Sequence, residues 1–144
     1  MVSIKKYYDK PGCAVYNVCM DRNKILTVVN KQRDHVWAQL CEIRPKLVRL
    51  DPPTIVLNGR LWRTAGRCFQ DTRTIDLGVK FFEHSREYGT TMLNVILPHE
   101  IIHQVDYDLY GLSEKKCGHG RNWRKLMIEY GLPDNPYHSM EIAR

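Results

Sequence analysis

The sequence has no long hydrophobic run, no apolar block at its N-terminus and no internal repeat. The apolar run Val95-Ile96-Leu97 stops at Pro98, whereas a helix that crosses a membrane needs about 20 apolar residues. The N-terminal residues MVSIKKYY lack the apolar core of a secretory signal. We therefore expect a protein that is not secreted, has no membrane partner and resides in the cytoplasm, or in the nucleoid or nucleus.

Cysteine pairs at metal-ligand spacing are also missing. The five cysteines are odd in number and scattered, and none forms a CxxC pair: Cys13, Cys19, Cys41, Cys68 and Cys117. This spacing excludes a thioredoxin-like dithiol and a cysteine-based zinc knuckle. We expect reduced thiols of the kind found inside cells.

Acidic residues are outnumbered, since 22 Lys and Arg face 16 Asp and Glu, which gives a net charge of +6. This surplus favours a polyanionic partner, nucleic acid first, through release of counterions. The alternative is a positive surface that only keeps the protein soluble. A chain of 144 residues, 43% apolar and 26% charged, is expected to form one globular domain.

The first half of the chain predicts a helix followed by three strands. Apolar residues at three- and four-residue steps predict a helix over Asp21–Arg44, and the polar run at residues 30–34 leaves open one helix or two. Strands are predicted at Thr54–Leu57, Leu61–Gln70 and Thr74–Leu77. Because Asn58-Gly59 is a strong hairpin signal, we expect a three-stranded antiparallel meander.

The second half predicts two helices and completes an α+β fold. The first is capped by Thr90 or Thr91 and runs to Tyr110. Pro98 either begins this helix or kinks a longer one, and the amphipathic run from Met92 favours the kink. A last helix around Trp123–Tyr130 ends at Gly131.

The motif His99-Glu100-Ile101-Ile102-His103 carries the chemistry. On a helix, its two histidines lie about 40° apart around the axis and about 6 Å apart along it. Their rings can therefore converge on one zinc ion at bond lengths of about 2.0–2.1 Å. Glu100 is rotated by about 100° from His99, so it flanks the metal and is suited to act as a general base.

A catalytic zinc site needs a third protein ligand. The metzincin extension is excluded, because Asp106 and Leu109 occupy the positions that it requires. The downstream candidates are Glu114, Cys117 and His119. His119 is favoured because it lies between two glycines, directly before the last helix.

Taken together, these segments resemble the SprT-like metalloprotease family. The resemblance extends over Thr54–Tyr130 and is carried by the HExxH motif and four further segments: Arg63-Thr64-Ala65-Gly66, Thr74-Ile75-Asp76-Leu77, Gly118-His119-Gly120 and Trp123-Arg124-Lys125-Leu126-Met127. It implies a zincin-like fold, one catalytic zinc held by His99, His103 and His119, and Glu100 as catalytic base. Many members carry a C-terminal zinc ribbon, and we expect residues 1–144 to form a single SprT-like domain without one.

The expected reaction is zinc-dependent hydrolysis of peptide bonds. Zinc lowers the pKa of bound water from 15.7 to about 7, and Glu100 is expected to take up the proton that the water loses. Tyr107, Tyr137 or His138 is a candidate for a second oxyanion stabiliser. We also expect the strand edge at Arg73–Leu77 to bind an extended substrate by strand addition.

The resemblance also implies protein substrates that are bound or crosslinked to DNA. Two groups of residues are candidate DNA contacts, one near the strands and one near the third ligand: Arg60, Trp62, Arg63 and Arg67, then Lys115, Lys116, Arg121 and Arg124. The alternative interpretation places Trp62 and Trp123 in the core or at its rim. Two other functions stay open: a basic DNA- or protein-binding module with a structural zinc, and a peptidase that acts independently of DNA.

Overall fold

A computed structural model describes residues 16, 20–112 and 118–143 of the chain. Six residues named above lie outside these residues: Cys13, Cys19, Glu114, Lys115, Lys116 and Cys117. Within the described ranges, no helix is both long and apolar enough to cross a membrane. Cys41 and Cys68 are free thiols, and burial raises the pKa of both.

The described chain has an α+β fold, as predicted. Its helices are α1 (Arg22–Ile43), α2 (Val79–His84), α3 (Arg86–Thr91), α4 (Leu97–Tyr110) and α5 (Arg121–Tyr130). Its strands are β1 (Thr54–Asn58), β2 (Gly66–Phe69) and β3 (Thr74–Gly78). A 3₁₀ turn at Pro45–Arg49 follows α1, and a π-helical turn at Met92–Ile96 joins α3 to α4.

Helix α1 is a single helix through the polar run at residues 30–34. The Asp21 side chain caps its start by accepting a hydrogen bond from the Lys24 backbone N–H at 2.8 Å. The apolar face buries Ile25, Val29 and Leu40. This face packs against β1, α4 and α5, so α1 supports the second half of the molecule.

The sheet is mixed, and the predicted antiparallel meander is wrong. Its strand order is β1-β3-β2, with β1 parallel to β3 and β2 antiparallel to β3. Neither Asn58 nor Gly59 has the positive φ that a type I′ hairpin turn requires. Instead, the Asn58 side chain accepts a hydrogen bond from the Arg60 N–H at 2.9 Å and donates one to Asp76 on β3 at 3.0 Å. Asn58 therefore ties β1 to β3 rather than turning the chain into β2.

The predicted substrate-binding edge at Arg73–Leu77 is also wrong. Strand β3 lies in the centre of the sheet, where Ile75 pairs with Ile55 on one side and with Cys68 on the other. Strand β2 packs more extensively against α4 than β3 does, and it is an edge strand. It covers only Gly66–Phe69 of the predicted Leu61–Gln70.

The helix that leads to the HExxH motif begins earlier than predicted. Ser85 is its cap, and its side chain accepts a hydrogen bond from the Tyr88 backbone N–H at 3.1 Å. Thr90 and Thr91 lie within the helix, so they are not caps. Gly89 is also helical, and a Cβ there would lie 1.9 Å from Tyr16 Cδ1. Gly89 thus provides space for the Tyr16 ring and does not break the helix.

Pro98 lies in the first turn of α4, directly after a π turn. The Leu97 N–H donates to the Met92 carbonyl, five residues back. Proline has no N–H, and its ring clashes with the carbonyl four residues before it in an α-helix. A wider π turn just before Pro98 fits both restrictions, and such turns occur often at functional sites. The α-helix then resumes at Leu97 and holds the motif on regular geometry.

Helix α5 ends as predicted and closes the core. Gly131 takes a left-handed conformation, with φ of 104°, at its C-terminal cap. Trp123, Leu126 and Met127 form the buried face of α5, which packs against α4. This contact brings the start of α5 next to the HExxH motif.

Candidate metal centre

The side chains of His99, His103 and His119 meet at one point. The first two lie on α4, one turn apart, and the third directly precedes α5. The Nε2 atom of His103 lies 3.2 Å from that of His99 and 3.0 Å from that of His119. The remaining pair, His99 and His119, is separated by 3.4 Å. Among the described residues, these three histidines form the group of His, Cys, Asp and Glu side chains able to hold a metal ion.

The spacing of the three nitrogens fits a metal ion. A tetrahedral ion with bonds of about 2.0–2.1 Å holds its ligand atoms about 3.3–3.4 Å apart. Hydrogen bonds cannot explain the cluster, because the Nε2 of a neutral imidazole carries either a hydrogen or a lone pair. In a triangle of such atoms, at least one pair must be alike and repel. A cation that accepts three lone pairs removes this conflict.

The histidines are neutral at physiological pH. Burial, with the neighbouring histidines His119 and His138, lowers the pKa of His99 to about 3. Burial, with His99 and His119, lowers the pKa of His103 to about 2. The pKa of His119 is lowered by burial and by the positive charge of Arg124. Metal ligation needs neutral imidazoles, and the lowered pKa values keep all three imidazoles in this neutral form.

Trp123 forms the base of the cluster. Its ring stacks on His103, with centroids 5.1 Å apart and planes inclined by 18°. It meets His99 and His119 edge to face, with centroids at 4.8 and 4.6 Å. Trp123 is fully buried, which confirms the core interpretation of this residue. Sequence reasoning did not connect it with the histidines, although it lies four residues after His119.

Gly118 allows the loop to approach α4. Its φ is +75°, which side-chain-bearing residues rarely adopt, and a Cβ there would lie 3.3 Å from His103 Nδ1 and Cε1. Only a glycine combines this conformation with so short an approach. The sequence predicts this role for the glycines that flank His119.

A polar network holds the backbone of α4 near His103. The Gln70 side chain donates to the His103 carbonyl at 2.7 Å. The Gln104 amide donates to the Gln70 carbonyl and to Asp108 Oδ1, each at 3.0 Å. Arg73 extends this network with an ion pair to Asp108 at 2.6 Å. Sequence analysis missed this network, because all of these contacts except that between Gln104 and Asp108 join residues more than 30 positions apart.

Glu100 is a residue of α4, and its side chain lies against the edge strand β2. A Cβ at Gly66 would lie 3.0 Å from Glu100 Cγ and 3.3 Å from its Oε2, so the strand backbone passes close to the carboxylate. Gly66 is therefore a point of close approach between β2 and α4. Glu100 is 5% exposed, and burial raises its pKa to about 8. A carboxyl group with a pKa near neutrality is suited to both accept and release a proton.

The three candidate oxyanion stabilisers differ in their environments. His138 is committed on both ring nitrogens, because Nε2 lies 3.0 Å from the Arg63 carbonyl and Nδ1 accepts the Met140 N–H at 3.2 Å. Tyr137 is 82% exposed, and Tyr107 is half-buried on α4. His138 lies near enough to His99 to lower its pKa.

The candidate DNA contacts fall into two described groups. Arg60 and Arg63 are exposed between β1 and β2, and Arg63 lies over the half-buried Trp62 ring at 5.8 Å. Arg67 on β2 pairs with Asp76 at 3.5 Å. In the second group, Arg121 is exposed at the start of α5, and Arg124 is half-buried three residues later.

Comparison with known proteins agrees with these motifs. A sequence profile of the SprT-like family matches residues 37–138, well over half of the chain. Protein SprT of Vibrio parahaemolyticus serotype O3:K6 (strain RIMD 2210633) is 31% identical over 92 residues, which cover 63% of the chain and 52% of that protein. The chain thus spans about half the length of this curated relative. No solved structure is significantly similar to the chain.

Proposed function

The chain belongs to the SprT-like family, and on this basis we propose that it is a zinc-dependent endopeptidase. The observation that carries the proposal is the convergence of three neutral imidazoles beside a buried carboxylate. His99, His103 and His119 would hold the ion, and zinc suits a site of three nitrogen ligands with an open position. Bound zinc supplies a Lewis acid that polarises a carbonyl and activates water.

Glu100 is proposed as the general base. It accepts one proton from the attacking water while the water oxygen forms a bond to the carbonyl carbon of the substrate. It then delivers this proton to the amine nitrogen as the carbon–nitrogen bond breaks. The Glu100 carboxylate lies against β2, so few water molecules can surround it. The proton that it accepts is therefore not lost to solvent.

The edge strand β2 is proposed to bind the substrate. It packs against α4, and its Gly66 lies against Glu100. An extended peptide that adds to this edge would make backbone hydrogen bonds along β2. Its scissile bond would then run past Glu100. This proposal moves the strand-addition site from β3, where the sequence placed it, to β2.

The decisive experiment compares Glu100→Gln with Glu87→Gln, a matched change at an exposed position on α3. We expect Glu100→Gln to bind zinc at one ion per chain and to lose cleavage of a model protein substrate. Glu87→Gln should retain both. A structural zinc site in a binding module would leave Glu100 without a role. Undiminished cleavage by Glu100→Gln would therefore overturn the assigned base.

The proposed substrates are proteins bound or crosslinked to DNA. The supporting features are the net charge of +6 and the exposed arginines between β1 and β2. Cytoplasmic location stays a prediction. A peptidase independent of DNA is the alternative, and cleavage of a DNA-binding protein with and without added DNA separates the two.

DNA contact by Arg60 and Arg63 has its own test. Each phosphate contact contributes about 0.9 to the slope of log affinity against log salt on duplex DNA. We expect Arg60→Gln with Arg63→Gln to reduce this slope by nearly twice that amount. Arg49→Gln, an exposed arginine in the 3₁₀ turn, is the matched control and should not change it. An unchanged slope in the double variant would remove this group from the DNA surface.

A further inference from the structure

Arg124 links the backbone of the third histidine to the segment after α5. Its Nε donates a hydrogen bond to the His119 carbonyl at 3.2 Å. Its Nη1 donates to the Asp134 carbonyl at 2.9 Å and lies 3.5 Å from the Asp134 carboxylate. One guanidinium therefore bridges two backbone carbonyls on either side of the helix.

His119 is the ligand that most needs such a support. His99 and His103 lie on one continuous helix, so their relative positions follow from helix geometry. His119 instead lies in a loop between Gly118 and Gly120, and glycine restricts the backbone least. Hydrogen bonds from neighbouring residues must then define where its imidazole points.

We infer that Arg124 is a positioning residue for the metal site, which fixes His119 through its backbone carbonyl. Partners outside the ligand set orient metal ligands in this way, and losing one typically costs about 10- to 100-fold in metal affinity. The role is separate from the DNA contact expected from the sequence. It rests on the proposed zinc site and not on peptidase activity.

The charge of Arg124 cannot supply this effect. A positive side chain next to a bound cation repels it, so the charge alone weakens metal binding. Only the directed hydrogen bonds favour the ion, by holding the ligand in place. Lysine keeps the charge but lacks the planar fork that reaches two acceptors at once. Arg124→Lys therefore removes the hydrogen-bonding geometry and leaves the charge in place.

The experiment measures zinc affinity by chelator competition, without DNA, in the full chain. We expect Arg124→Lys to bind zinc about 10- to 100-fold more weakly than the wild type. Arg121→Gln is the control for a general effect of changing an arginine on this helix, because Arg121 is exposed near the start of α5. Asp134→Asn is the control for the carboxylate. Both controls should bind like the wild type, since the stronger acceptor at Asp134 is its backbone carbonyl.

The visible spectrum of the cobalt-substituted protein separates positioning from folding. At saturating cobalt, a variant that is merely less stable retains the wild-type spectrum, whereas Arg124→Lys should show a changed one. If Arg124→Lys has the zinc affinity and the cobalt spectrum of the wild type, the inference is overturned, but the proposed zinc site is not. Equal weakening by Arg121→Gln would also overturn it, because the loss would then follow from any change on α5 and not from the hydrogen bond to His119. Failure of the wild type to bind zinc would overturn the proposed function itself, and the inference with it.

Discussion

The indole of Trp123 stacks on the imidazole of His103, with ring centroids 5.1 Å apart and planes inclined by 18°. The same indole contacts the rings of His99 and His119. A single buried side chain from α5 thus contacts all three candidate ligands. The site therefore lies against the core, and its geometry depends on the packing of α5 against α4.

Truncating Trp123 should weaken the fold and the metal site together. We expect Trp123→Ala to lower the free energy of unfolding by about 3–5 kcal/mol, as for other large-to-small core changes. It should also weaken zinc binding, because the rings lose their common support. Urea unfolding of the metal-free protein and chelator competition measure the two effects.

Met127→Ala is the matched control for Trp123, because Met127 is also buried on α5. It should cost about 2–5 kcal/mol of stability without a comparable loss of zinc affinity. If both variants lose zinc affinity in proportion to their loss of stability, the contact of Trp123 with the three histidines has no specific effect on metal binding.

Two glycines with similar φ angles separate backbone strain from contact with the metal site. Gly118 has φ of +75° and lies against His103, whereas a Cβ added at Gly111, with φ of +78°, would meet no atom of the described residues within 4 Å apart from its chain neighbours. Alanine at either position would take a positive φ that side-chain-bearing residues rarely adopt, at a cost of about 1–3 kcal/mol. Only Gly118→Ala should also displace the His103 ring and weaken zinc binding. A parallel loss of zinc affinity in Gly111→Ala would show that the contact is unimportant.

Gly66→Ala should reduce catalysis and leave metal binding intact. Its Cβ would lie 3.0 Å from Glu100 Cγ, so the carboxylate or the strand must move. We expect a fall in kcat with zinc affinity unchanged, since the atoms nearest to the added Cβ belong to Glu100 and Ile96 and not to a ligand ring. Gly59→Ala is the control, because its Cβ meets only the flexible end of Arg22. A wild-type kcat in Gly66→Ala would show that the contact between β2 and the Glu100 carboxylate does not affect catalysis.

The contribution of His103 to the stability of the metal-free protein should decrease as the pH falls below about 6.5. His103 has a pKa of about 2 when folded, against 6.5 for the free side chain, so below pH 6.5 the unfolded chain binds more protons. The contribution of His103 to the free energy of unfolding is therefore fully present above that pH. Between that pH and the folded pKa it decreases by about 1 kcal/mol per pH unit. Urea unfolding at pH 7 and pH 5 measures the slope. His103→Gln should flatten it, and an unchanged slope would contradict the burial of a neutral imidazole.

The sequence predicts α1, α5 and the HExxH helix because each depends on local spacing. Periodic apolar residues and the cap at Asp21 act within a few positions, and so does the glycine stop at Gly131. The family assignment succeeds for the same reason, since its motifs are short. The placement of His119 beside α4 agrees with its expected proximity to the HExxH helix.

The features that the sequence could not predict depend on distant partners. Asn58-Gly59 has the composition of a hairpin, yet Asn58 bonds across the sheet to Asp76. Gly89 directly precedes the predicted caps Thr90 and Thr91, and only its contact with the ring of Tyr16 explains why a glycine lies inside the helix. The Gln70 contact with the His103 carbonyl likewise joins segments that no local pattern connects. Tertiary packing decides each of these.

A crystal structure of the zinc-bound protein, with anomalous diffraction at the zinc absorption edge, tests the central claim most directly. The account predicts one anomalous peak per chain, bonded to Nε2 of His99, His103 and His119 and with a coordination position left open beside Glu100. A peak at another place, or a zinc ion whose remaining position is filled by a protein side chain, would contradict it.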